Sequence, residues 1–79
     1  MSVVEPVRLD LSGLKCPLPV LRTRKALRHL PPGALLEVVC TDPMSAIDIP
    51  NMVRESGDIL REKRKENASL FFRIEKVTP

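Results

Sequence analysis

At 79 residues, 43% of them apolar and 29% charged, the chain is long enough for one domain with a modest core and too short for two. No apolar run reaches the length of a bilayer span, and the opening Met-Ser-Val-Val-Glu-Pro lacks the basic-then-apolar order of a secretory signal; a single cytoplasmic domain over residues 1–79, without membrane attachment, is expected. Thirteen Lys and Arg against ten Asp and Glu leave a net charge of only +3, which selects no partner class by itself, and two cysteines with one histidine are too few for a four-ligand zinc site.

Val7, Leu9 and Leu11 alternate with Arg8, Asp10 and Ser12, the period of a half-buried strand. Gly13 allows a turn, and Leu14-Lys15-Cys16-Pro17-Leu18-Pro19-Val20 leads into a helix. Proline is tolerated in a first helical turn because the N–H it lacks has no intrahelical partner there. With Cys16 as N-cap, Pro17 falls at N1 and Pro19 at N3, leaving the Leu18 N–H to aim at the sulfur. Gly13, Pro17, Leu18 and Pro19 are thus the residues expected to shape the setting of Cys16. The positive end of the helix dipole, with Lys15 alongside, is expected to lower the thiol pKa by about one unit from about 8.5.

The helix extends to Leu30, with Val20, Leu21, Leu27 and Leu30 as its apolar stripe, and stops before Pro31-Pro32-Gly33. Lys15, Arg22, Arg24, Lys25 and Arg28 leave this region without an acidic residue. Such a face is either ordinary solvated surface or a means of steering acidic protein partners or an RNA backbone. Ala34 to Cys40 forms a second strand, with Leu36, Val38 and Cys40 on one face and Leu35, Glu37 and Val39 on the other. Asp42 before Pro43 signals a helix start, and Pro50 predicts a break with Asp48 as a second cap. That helix runs to Ser56 and ends at a left-handed Gly57. Asp58 to Lys65 suits a charge-protected edge strand, in which Arg61, Lys63, Arg64 and Lys65 mix with Glu62. Glu66-Asn67-Ala68 turns the chain, and Leu70, Phe72 and Ile74 alternate with Phe71, Arg73 and Glu75 in the last strand.

The order β-α-β-α-β-β predicts an α+β fold: a two-layer α/β sandwich with a mixed four-stranded sheet and both helices on one face. A right-handed crossover makes the first two strands parallel, so Cys16 and Cys40 fall at one edge, where the carboxyl ends of parallel strands gather sites. Cys40 shares its face with Leu36 and Val38 and reads first as a buried structural residue; a disulfide or sulfur exchange with Cys16 is the alternative. Leu35, Val39 and Phe71 lie opposite the helices, either as plain open-sheet surface or as a docking or self-association face. Asp10 and Asp42 read first as a turn residue and a helix cap; the alternative places both near Cys16 at the carboxyl edge, orienting partner contacts, and neither reads as a catalytic base.

Elimination narrows the chemistry of Cys16. Pro19 occupies the position of a resolving thiol, so no Cys-x-x-Cys pair exists. His29 lies about thirteen residues along the same helix, roughly 20 Å away, too far for a Cys–His pair. The glycines are scattered at 13, 33 and 57, so no phosphate-binding loop is formed. One sulfur acting alone can attack, hold a group covalently and pass it to another thiol, and sulfane sulfur is the natural cargo because its transfer needs no metal or oxyanion hole.

The run Leu9-Asp10-Leu11-Ser12-Gly13-Leu14-Lys15-Cys16-Pro17-Leu18-Pro19-Val20, followed by Thr41-Asp42-Pro43 and Asp48-Ile49-Pro50, resembles the TusA/SirA family of small sulfur carriers from about Leu9 to Lys76. The resemblance implies a persulfide on Cys16, relayed from a donor such as a cysteine desulfurase or rhodanese to an acceptor protein with a reactive cysteine. It also implies a fold like that of the C-terminal domain of bacterial translation initiation factor three. Lys15, Arg22, Arg24, Lys25 and Asp42 become the candidate partner-binding residues of a monomer with no cofactor and no metal. Asp58 and Cys40 depart from the family pattern, which often has histidine and no thiol there. Thiolation of tRNA, molybdenum-cofactor supply and sulfur oxidation are all pathways such a carrier would serve. A competing reading is a small RNA-binding or regulatory module using the basic first helix. The absence of Trp and Tyr, and two Phe on alternate faces, provide poorly for base stacking and argue against direct nucleic-acid binding.

Overall fold

The computed structural model describes residues 6–78; the N-terminal stretch without signal character and the outer ends of the expected 1–79 domain (residues 1–5 and 79) lie outside them. The elements are β1 (Val7–Leu11), α1 (Leu18–Arg28), β2 (Leu35–Cys40), α2 (Ser45–Ser56), β3 (Ile59–Glu66) and β4 (Ser69–Glu75). The strands form one open sheet in the order β1-β2-β4-β3. β1 and β2 pair in parallel, while β4 is antiparallel to both of its neighbours. This is the α+β fold expected from the sequence: two helices against a mixed four-stranded sheet.

Period-two alternation in the strands sets the core. Leu36, Val38 and Cys40 of β2 and Leu70, Phe72 and Ile74 of β4 are buried together with Leu11 of β1. The helices close over them with Leu27 from α1 and Ile49, Met52 and Val53 from α2. Truncating any of these large side chains to Ala costs on the order of 2–5 kcal/mol. The stripe of α1 differs in one place from the sequence expectation. Leu21 is 49% exposed, whereas Thr23 is fully buried, in line with Pro19 and Leu27 at the i, i+4, i+8 spacing. Thr23 enters the core because its hydroxyl donates to the Pro19 carbonyl at 2.7 Å and so needs no water.

Pro50 does not break α2, which is continuous from Ser45 to Ser56. The carbonyl that a residue-50 N–H would have bonded belongs to Ala46, and the Lys63 ammonium of β3 donates to it at 3.2 Å. Asp48 is therefore inside the helix rather than a second cap. Gly57 ends α2 at φ 88, as the sequence predicts, and a Cβ there would also meet the Thr78 methyl at 3.1 Å. Asp58, next in the chain, ties down the tail after β4. Its carboxylate accepts from the Val77 and Thr78 N–H groups and the Thr78 hydroxyl through one oxygen and from the Ser56 hydroxyl through the other. Burial opposes its ionisation, but these four hydrogen bonds outweigh that and hold its pKa below the usual carboxylate range.

The open face of the sheet carries a ladder of alternating charge set by register. Arg8, Glu37, Arg73 and Glu62 stand side by side across the four strands. Arg8 and Arg73 both reach Glu37 at 3.1 Å, Arg73 reaches Glu62 at 3.5 Å, and Arg64 reaches Glu62 at 3.2 Å while lying 4.8 Å over the Phe71 ring. Leu35, Val39 and Phe71 are half-buried within this face. Of the basic residues of β3, Arg61 and Arg64 are thus spent on neighbours in the sheet, while Lys63 reaches α2.

Candidate functional site

Parallel pairing of Leu11 with Cys40 brings the exits of β1 and β2 together. The loop after β1 is then stitched to the residues after β2. Ser12 N–H closes on the Asp10 carboxylate at 3.0 Å, and the Leu14 N–H on the Leu11 carbonyl at 3.2 Å. Gly13, at φ 84, turns its N–H to the Thr41 hydroxyl at 2.8 Å. The Cys16 N–H donates to the Asp42 carboxylate at 2.5 Å. The other oxygen of Asp42 accepts from the Met44 N–H at 3.2 Å, capping the turn that opens α2. Asp42 is 8% exposed, so its carboxylate works inward on the backbone rather than outward toward a partner.

The helix start lies one residue later than the spacing predicts. Pro17 is the N-cap of α1, with Leu18 and Pro19 at the first two helical positions, and the Leu18 N–H donates to the Lys15 carbonyl at 2.8 Å. It is not free to face the sulfur. Cys16 therefore stands just outside the helix, with an exposed side chain. Its nearest side-chain partner is 32 residues on: Sγ lies 3.5 Å from the Asp48 carboxylate on α2.

These surroundings reverse the expected direction of the thiol pKa. Partial desolvation by the loop, then the hydrogen bond to Asp48 and its charge, and then the charge of Asp42, push the Cys16 thiol up. The thiol is exposed, and partial burial together with the two carboxylates favours its protonated form.

The remaining sequence candidates separate by position. Gly13 ties the loop to Thr41, Pro17 is the N-cap, and Pro19 is a buried residue of the first turn of α1. Leu18 contributes an exposed apolar side chain rather than a free N–H. Lys15, Arg22, Arg24 and Lys25 are all exposed along the Cys16 loop and α1. Three apolar side chains near Cys16 or Asp48 in the chain are exposed, a feature the sequence reading did not single out: Leu18 at the start of α1, Met44 before α2 and Ile47 in its first turn, at 40%, 49% and 58%. Cys40 is fully buried. Burial, with the charges of Asp42 and Asp10, pushes its thiol up against the opposing hydrogen bond with Ser45. A concavity of about 470 Å³ lies on the open sheet face, lined by Arg8, Glu37, Phe71 and Arg73 among others, and Cys16 does not line it. The Cys16 sulfur is exposed and lies apart from this concavity. No helix among the described residues is long and apolar enough to cross a membrane.

Comparison with known proteins places this geometry. The family model described as sulfurtransferase TusA matches residues 7–76. A sulfur carrier protein TusA from Allochromatium vinosum is 41% identical over 68 residues, covering 86% of this chain and 90% of the relative. One from Pseudomonas aeruginosa is 40% identical over 68 residues, covering 86% of each chain. Among solved structures, a SirA-like protein from Desulfitobacterium hafniense superposes with a TM-score of 0.80 at 27% identity, covering 91% of this chain and 99% of that one.

Proposed function

The chain belongs to the TusA family of sulfurtransferases, and from that premise we propose that Cys16 accepts sulfane sulfur as a persulfide and hands it to an acceptor thiol. The observation that carries this reading is the single exposed thiol on a loop pinned at both ends, with the second thiol sealed in the core. In the loading step the Cys16 thiolate attacks the terminal sulfur of a donor persulfide. A new S–S bond forms to Cys16 as the donor's own S–S bond breaks, the donor cysteine leaves as a thiolate, and the proton released by Cys16 ends on it. No net oxidation occurs, so no cofactor or external oxidant enters. Discharge is the same exchange in reverse sense, with the acceptor's thiolate attacking.

An exposed sulfur suits transfer between proteins, since a partner surface supplies the walls. Leu18, Met44 and Ile47 offer that surface apolar contact, and Lys15, Arg22, Arg24 and Lys25 offer charge for steering acidic partners. A cysteine desulfurase or rhodanese as donor and a cysteine-bearing protein as acceptor fit this chemistry. Phe72 is buried in the core and Phe71 is half-buried beneath Arg64, so neither supplies a base-stacking platform, and the RNA-binding reading gains nothing from the fold. Incubation with a persulfide-loaded donor followed by intact-mass measurement tests the proposal. Wild type and Cys40→Ser gain the mass of one sulfur atom and Cys16→Ser does not; equal gain by Cys16→Ser refutes the site.

A further inference from the structure

The sequence reading gives Asp48 a cap and a place in the Asp48-Ile49-Pro50 element but no role at the sulfur, yet its carboxylate is the side-chain group that meets Sγ. We propose that Asp48 is a positioning residue for Cys16: its carboxylate receives the thiol hydrogen and keeps the sulfur neutral and directed while the carrier is unloaded and free. This inference rests on the reading of Cys16 as the sulfur-bearing residue.

Three features of the site support it. First, the geometry is that of an S–H donor and a carboxylate acceptor, with Sγ 3.5 Å from Oδ2. A thiol gains from that contact, whereas a thiolate would face a like charge at the same distance. Second, Asp48 sits in the first turn of a continuous α2 and is half-buried, so its reach is set by packed backbone rather than by a mobile loop. Third, the charged groups near the sulfur leave Asp48 without a competitor. Asp42 has already spent both oxygens on the Cys16 and Met44 N–H groups, and among the described residues no Lys or Arg forms an ion pair with Asp48. Lys15 lies beside Cys16 in the chain but pairs with neither acid. The raised pKa of Cys16 has desolvation as its first cause, and the hydrogen bond to Asp48 and the charge of Asp48 raise it further. Its functional sense is protective, because alkylation and oxidation proceed through the thiolate.

The test is the pH dependence of Cys16 alkylation by iodoacetamide, read on the Cys16 peptide by mass spectrometry, in wild type and Asp48→Asn. Asparagine preserves shape and removes the charge. The account expects the midpoint of the Asn variant to fall and its rate at pH 7 to rise several-fold, toward tenfold for a full pKa unit. Superimposable profiles, or a midpoint that moves up, overturn it. Asp48→Ser provides the same comparison if the Asn variant fails to fold. Sulfur loading of the wild type, measured in parallel, separates the two claims. Loading with superimposable profiles defeats the positioning role alone, and a shifted midpoint without loading defeats the carrier reading alone.

Discussion

Replacing Asp42 by Ala withdraws one buried carboxylate from two backbone donors at once. The bond from the Cys16 N–H at 2.5 Å holds the reactive loop, and the bond from the Met44 N–H at 3.2 Å caps the turn into α2. A hydrogen bond to a charged group is worth about 1.5–3 kcal/mol. Loss of a helix cap costs about 0.5–2 kcal/mol. Because Asp42 is only 8% exposed, water replaces the missing acceptor poorly, and the two effects together predict a loss of about 2–5 kcal/mol. Asp42→Asn keeps one acceptor oxygen and is expected to lose about half as much. Urea unfolding with m held common to the three proteins measures this directly, and in a domain of this size each kcal/mol also lowers Tm by about 4–8 °C. A loss below about 0.5 kcal/mol for Asp42→Ala would show that the loop is held by something other than this carboxylate.

Two further perturbations follow from the fold. Asp58 has a folded pKa below its unfolded value, so its contribution is present above about pH 4 and is lost as pH falls through the folded pKa. Between about pH 5 and pH 3, wild type should lose more stability by chemical denaturation than Asp58→Asn, and parallel losses would contradict the assignment. Pro50→Ala restores an N–H for the Ala46 carbonyl now served by Lys63. An interior proline costs about 3 kcal/mol in a helix and returns up to about 1 through the unfolded chain, so the variant should be more stable by about 2–3 kcal/mol; a less stable variant would refute this.

The sheet was legible because its signal is local. Leu36, Val38 and Cys40, then Leu70, Phe72 and Ile74, alternate strictly, and burial on one face of a sheet follows that period directly. Cys16, its prolines and Gly57 were legible because turns and caps demand particular backbone chemistry. The helix faces were read less well. Thr23 entered the core where Leu21 was expected, since a threonine that satisfies its own hydroxyl behaves as a small apolar residue. Pro50 was tolerated because Lys63, on another element, took over the orphaned carbonyl. The Asp48 contact escaped for the same reason, as Asp48 lies 32 residues from Cys16, whereas a place for Asp42 near the sulfur was legible from the parallel strand ends. A clue was present: parallel β1 and β2 place their following loops side by side, and carrying that argument one turn into α2 would have brought Asp48 to the sulfur.

The most direct test of the carrier account follows radiolabelled sulfur from a loaded donor, through this protein, to an acceptor thiol. The account predicts label on Cys16 that leaves when acceptor is added, unaltered by Cys40→Ser and abolished by Cys16→Ser. Label that reaches the acceptor equally fast with the Cys16→Ser protein, or that never leaves the wild type, would contradict it.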